Sequence, residues 1–162
     1  MTTLAPSRDM VNLATGILGE AAASLWLGLE PRVGVITDWR DGGSDIRTVH
    51  GSVLDVKSTT RWRWAHHLDI PVAHEDKFRR SRVDELVRVY LKGREATIVG
   101  CYGREDFLRD ARRDGVHPIP TLCVMLGGPL HRIELPAILI ARVDAIVREQ
   151  SSSEPWTGWL TL

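Results

Sequence analysis

Three carboxylates and one lysine early in the chain could do chemistry together. Glu20 lies in GILGE, Asp45 in GGSDIRT, and Asp55 and Lys57 in SVLDVKSTT. In the last stretch Val53, Leu54 and Val56 read as a strand, on which Asp55 and Lys57, two apart, point to the same side. Burying charge is costly unless it is paired or holds a metal. The pair is therefore either an ordinary ion pair on a strand face or part of a site. Asp45 stands ten residues before Asp55, and antiparallel neighbours joined by a tight connection bring two such carboxylates within reach. Converging with nothing between them, they repel and one stays protonated. A divalent cation removes that conflict. Mg²⁺ takes one or two carboxylates, keeps several waters and binds phosphate oxygens. Such an ion stabilises charge on a scissile phosphate and lowers the pKa of its bound water. A lysine beside it can orient the attacking water or help deprotonate it.

The use of lysine sharpens this reading. Of 21 basic residues only Lys57, Lys77 and Lys92 are lysine, and the other eighteen are arginine. A chain that fills its surface charge with arginine retains lysine where a compact, pKa-tunable amine is needed. An acid-x-Lys triplet alone is a weak signal. Glu75 to Lys77 also fits it, but that triplet sits in the charged run HEDKFRRSR with no strand around it and is set aside.

The elements that must position these groups follow from periodicity. Residues 8–29 form a first helix, with Ala14, Leu18, Ala21, Leu25 and Leu29 on one stripe. Gly16, Gly19 and Glu20 fall away from that stripe. Two mid-helix glycines, each costing about 1 kcal/mol relative to alanine, suggest that something approaches closely beside the glutamate. RVGVITDW (32–39) reads as a strand and RDGGS (40–44) as a turn. DIRTVHG (45–51) and SVLDVKSTT (52–60) complete a three-strand meander. LDIPVAH is a short strand or loop. VDELVRVYL (83–91) and ATIVGCY (96–102) read as two more strands, the second central to a sheet. A short amphipathic helix over 104–113, a strand within HPIPTLCVML and a helix over 136–149 with proline in its first turn follow. The tail is pinned by Trp156 and Trp159. The order gives an α+β (mixed α/β) domain with a central sheet, and residues 1–162 are one domain.

The arrangement GILGE … GGSDIRT … SVLDVKSTT resembles the PD-(D/E)XK nuclease superfamily, whose restriction-endonuclease-like core is a helix, a three-strand meander, a helix and a further strand or two. The likeness covers about residues 8–102, with 103–162 an elaboration. It implies that Asp45 and Asp55 bind Mg²⁺, or Mn²⁺ in its place, with the carbonyl of Val56. Glu20 binds a second metal or a metal-bound water, and Lys57 positions the nucleophilic water. The reaction is then hydrolysis of DNA phosphodiester bonds. Ser44 stands where proline often precedes the first acid. The glutamine-containing motif of the exonuclease branch does not follow Lys57, which favours an endonuclease. Small nucleases of this fold often pair two active sites for double-strand cuts, so a homodimer is plausible. The alternative is a nucleic-acid-binding or structural module that keeps the fold without cleaving, against which the intact Glu20, Asp45, Asp55 and Lys57 set argues.

Directly after the third strand comes RWRW. On an extended segment Arg61 and Arg63 face one way and Trp62 and Trp64 the other, suiting phosphate contact and base stacking. Alternatively the tryptophans plug the core. Lys77, Arg79 and Arg80 add phosphate contacts or merely solvate a helix. From Lys57 to Arg94 there are ten basic against five acidic residues on a chain of zero net charge, which permits one basic face. His66 and His67 have no partner pattern and are assigned no catalytic role. Cys101 and Cys123 read as reduced core residues, and no Cys/His cluster suggests zinc. With no signal pattern and no apolar run of the roughly 18–20 residues that span a bilayer, the expectation is a cytoplasmic protein without a membrane segment.

Overall fold

The computed structural model describes residues 7–33, 46–115, 117–150 and 155–162. Helix α1 runs Arg8–Trp26, capped by the Ser7 side chain, which accepts from the Met10 N–H at 3.4 Å. It stops short of the predicted end at residue 29. Gly28 takes a φ of +73°, and the N–H groups of Gly28 and Leu29 bond back to the Leu25 and Ser24 carbonyls. That closure satisfies the last carbonyls of the helix and ends it.

The strands that follow are β1 (Ile46–Arg47), β2 (Val53–Thr59), β3 (His67–Pro71), β4 (Glu85–Lys92) and β5 (Glu95–Gly103), with the short helix α2 (Glu75–Arg79) between β3 and β4. Then come α3 (Arg104–Asp110), β6 (Arg112–Asp114), β7 (Thr121–Met125), β8 (His131–Glu134) and α4 (Ala137–Gln150). The predicted strand over 32–39 and the turn over 40–44 fall almost wholly outside the described residues. Of DIRTVHG only Ile46 and Arg47 are strand.

A mixed five-stranded sheet in the order β1-β2-β4-β5-β8 is the spine. β1 and β2 are antiparallel, β2 and β4 parallel, and β5 antiparallel to both β4 and β8. The parallel pair demands a crossover connection, and residues 60–84 provide it with β3 and α2. Gly93, at φ +57°, opens the two-residue turn between β4 and β5. The second sheet, β3-β7-β6, has three antiparallel strands.

Each face of the large sheet has its own core. Leu54, Val87, Val89 and Ile98 pack under α1 and α4, together with Trp156 and Trp159 of the tail. Val53, Leu86 and Val99 on the opposite face meet Phe78 of α2, Phe107 of α3, and Leu68, Ile70 and Val124 of the small sheet. No helix among the described residues is long and apolar enough to cross a membrane.

Candidate functional site

β2 carries the central pair. Asp55 Oδ2 lies 3.0 Å from Lys57 Nζ, with the side chains 16% and 36% exposed. The intervening and following residues fix their direction. Val56 and Ser58 face α1: a β-carbon added at Gly19 would stand 3.7 Å from Val56 Cγ1 and 1.7 Å from Ser58 Oγ. Alternation along the strand therefore sends Asp55 and Lys57 out of the other face. There Leu86 and Arg88 of β4 stand beside them in the parallel register.

The glycines beside Glu20 divide. Gly19 is buried at the crossing of α1 with β2, so it lies on the packed side of the helix and not, as its sequence position suggested, away from it. Gly16 is exposed with nothing within 4 Å. Glu20 is half-buried next to the crossing, on the α1 side of β2. The structure thus unites Asp55 with Lys57 and sets Glu20 across the strand from them. Val56 stands opposite Val87 in the ladder. Asp45 lies outside the described residues. Its neighbour Ile46 pairs with Leu54, the residue before Asp55.

RWRW is not extended. Trp62–Trp64 form a 3₁₀ turn, so the two tryptophans do not share one face opposite the arginines. Trp62 is 51% exposed and meets His66 and Tyr90 edge-on, at 5.2 and 5.1 Å between ring centroids. Trp64 is half-buried and tilted over His117 at 4.6 Å, with the Arg63 guanidinium on its ring. Neither tryptophan plugs the core. Arg61 and Arg63 are exposed, as are Lys77, Arg79 and Arg80 on and after α2. Arg79 pairs with Glu75 at 3.2 Å, and Arg80 donates to the Asp76 carbonyl.

A second cluster went unread in the sequence. On β3, Leu68 and Ile70 enter the core, so His67 and Asp69 occupy the other face; Val124 does the same for Cys123 on β7. Asp69 stands opposite Cys123, and Asp114 on β6 stands opposite Thr121, which shares a face with Cys123. His67, Asp114 and Cys123 bring ligand atoms within 4.8 Å of one another. His117 stitches the cluster, with Nε2 at 2.8 Å from Asp69 and Nδ1 at 2.7 Å from Asp114. Arg88, 4% exposed, reaches the Trp64 carbonyl at 3.0 Å. Burial lowers its pKa, opposed by Asp69 and Cys123. Burial, then Asp69 and Asp114, push the Cys123 thiol up to about 11, against the pull of Arg88. A thiol held protonated at neutral pH is a poor nucleophile.

These facts correct the expectation that both cysteines are core residues and that the chain has no Cys/His grouping. Cys101 is exposed and Cys123 half-buried, both free, and a Cys/His grouping does exist. His67 and Cys123 lie 56 positions apart in sequence, beyond any spacing motif. The available signal was the alternation of HLDIP and TLCVM, which sorts polar from apolar residues in both strands.

No protein-family model, no curated protein and no solved structure matches this chain. The class its geometry defines is a mixed α+β domain with a curled five-stranded sheet.

Proposed function

We propose that the chain is a divalent-metal-dependent nuclease that hydrolyses DNA phosphodiester bonds, acting as an endonuclease from the Asp55–Lys57 side of β2. The observation that carries this is the pair itself: an acid and an amine 3.0 Å apart, both partly exposed, on a strand whose preceding residues Val53 and Leu54 are core. The order of elements supports it. A helix, an antiparallel strand pair, a crossover containing a helix and a further strand are compatible with the core that the resemblance to the PD-(D/E)XK superfamily implies, of whose three-strand meander two strands fall among the described residues.

The donor set fits a hard cation. Asp55 contributes a carboxylate, Val56 a backbone carbonyl, and Asp45 is the sequence's candidate for the second carboxylate; oxygen ligands of this kind suit Mg²⁺ or Mn²⁺. When bound, such an ion supplies charge stabilisation at the phosphate and a more acidic water. Lys57, held by Asp55, orients the attacking water and offsets developing negative charge. Glu20, the sequence's candidate for a second ion, stands across the strand from this pair and is left out of the site. Exposed Arg61 and Arg63 contact phosphates and Trp62 offers a face for a base, with Lys77, Arg79 and Arg80 extending the basic surface.

Cleavage of end-labelled duplex, single-stranded and branched DNA by the full chain, with Mg²⁺ or Mn²⁺ and with EDTA, tests the reading. Metal-dependent cleavage lost in Lys57→Ala and Asp55→Asn is expected. No metal-dependent cleavage of any substrate, or a Lys57→Ala chain as active as the parent, overturns it in favour of a module that binds without cutting.

A further inference from the structure

We propose that His67, Asp114 and Cys123 form a binding site for a zinc-type transition metal, separate from the hard-cation chemistry proposed for Asp55. The donor types differ in kind. Imidazole and thiolate select zinc, cobalt and their neighbours over magnesium, whereas carboxylate and carbonyl oxygens suit magnesium. His67 Nδ1 stands 3.5 Å from Cys123 Sγ, and all three ligand atoms fall within 4.8 Å of one another. The 3.5 Å nitrogen–sulfur separation fits two ligands of a single ion with Zn–S of about 2.3 Å and Zn–N of about 2.0–2.1 Å, with Asp114 brought to a Zn–O of about 2.0–2.2 Å by side-chain adjustment.

The strands preset the arrangement. Each ligand comes from a different strand of the small sheet, and all three occupy its face away from the core. The cross-strand pairing of Asp69 with Cys123 places His67 one diagonal step from the thiol, and the pairing of Asp114 with Thr121 places Asp114 one diagonal step away on the other side. Diagonal neighbours lie about 7–8 Å apart at Cα, within reach of side chains that lean together. The surroundings have the character of a metal site's outer hydrogen bonds. His117 donates to Asp114 and is itself fixed by Asp69, so a carboxylate–imidazole–carboxylate chain orients one ligand. The Trp64 ring over His117 and beside His67 partly shields the group. Three protein ligands leave a fourth position for water or another ligand.

A rival explanation needs no metal: Arg88 and His117 engage Asp69 and Asp114 as a purely structural network. The two separate in a cobalt titration of the reduced full chain. One Co²⁺ per chain is expected to bind, giving a near-ultraviolet thiolate-to-cobalt band and visible bands of low coordination number. Zn²⁺ should bleach them, while excess Mg²⁺ leaves them unchanged. The near-ultraviolet band should vanish in Cys123→Ser and persist in Cys101→Ser. Asp69→Asn, which is not one of the three ligands but anchors His117, should weaken Co²⁺ binding by about 10- to 100-fold. Circular dichroism reports whether each variant is folded, and His67→Gln provides a second ligand variant should Cys123→Ser unfold. Absence of a thiolate band in the folded parent, its survival in Cys123→Ser, or its survival in His67→Gln with unaltered affinity overturns the proposal. The readout is optical and does not depend on nuclease activity.

Discussion

At the scale of single residues, Asp55 and Lys57 have little to do with stability. Lys57 is about a third exposed, and a pair of this kind is worth about 0–1 kcal/mol. A role in catalysis and a role in folding therefore predict different things. Lys57→Arg preserves charge and fills the same corridor, yet substitutes a fixed, planar cation for a compact amine. On the proposed mechanism it should lower metal-dependent cleavage by about 10²- to 10⁴-fold, the usual size of a positioned proton-transfer or orienting group. Its unfolding free energy from urea titration should stay within about 1 kcal/mol of the parent. Equal activity in Lys57→Arg would mean that charge alone suffices and that the amine has no specific part. The retention of lysine here, in a chain with eighteen arginines, is the sequence-level counterpart of this expectation.

At the scale of elements, the contact of α1 with β2 turns on one glycine. A β-carbon at Gly19 would lie 1.7 Å from Ser58 Oγ and 2.7 Å from Ser58 Cβ. Rotating the hydroxyl relieves the first clash but not the second, so the helix itself must move off the strand. Gly19→Ala should cost about 1–3 kcal/mol by overpacking. Gly16→Ala, three residues earlier on an open face, should gain about 1 kcal/mol from helix propensity. Thermal or urea unfolding of the two variants gives opposite signs; a stabilised Gly19→Ala would contradict the close packing described. The sequence already pointed, through two mid-helix glycines, to a close neighbour on this helix, true of Gly19 and not of Gly16. It could not show which glycine, since the neighbour comes from a strand about forty residues on. The same distinction runs through the fold. Helices α3 and α4 and strands β2, β4, β5 and β7 were legible because each carries its own periodicity. The three-residue β6 and the four-residue β8 carry no local pattern and exist because a neighbouring strand offers them a ladder, and of the strand read over 45–51 only the two residues of β1 are strand among those described. The His67 cluster was hidden for the same reason: its members meet only through the cross-strand register.

At the scale of the whole molecule, the C-terminal tail closes one of the two cores, and a single carboxylate holds it. Asp144 Oδ1, on α4, accepts from the Trp156 indole at 2.9 Å and from the Trp159 backbone N–H at 2.8 Å. Trp159 in turn donates its indole N–H to the Gly93 carbonyl at 2.8 Å, reaching the β4–β5 turn. Both rings are buried, at 7% and 3% exposure, in the core beneath α1 and α4. Their N–H groups are thus removed from water and depend on these acceptors. Hydrogen bonds to a charged acceptor contribute about 1.5–3 kcal/mol each, and a donor left unsatisfied in a core carries its desolvation cost. Asp144→Ala strands two donors at once and should lower stability by about 2–4 kcal/mol, read as a shift in the urea midpoint at unchanged slope. Asp144→Asn keeps an oxygen in the same place and loses only the charge, so it should cost less than half as much. Equal losses in the two variants would locate the effect in the charge and not in the pair of bonds. Because this core lies on the α1 side of the sheet while Asp55 and Lys57 leave the opposite side, Asp144→Asn at a temperature well below its transition should leave metal-dependent cleavage intact. Loss of cleavage in the folded Asp144→Asn chain would show that the two faces of the sheet are coupled.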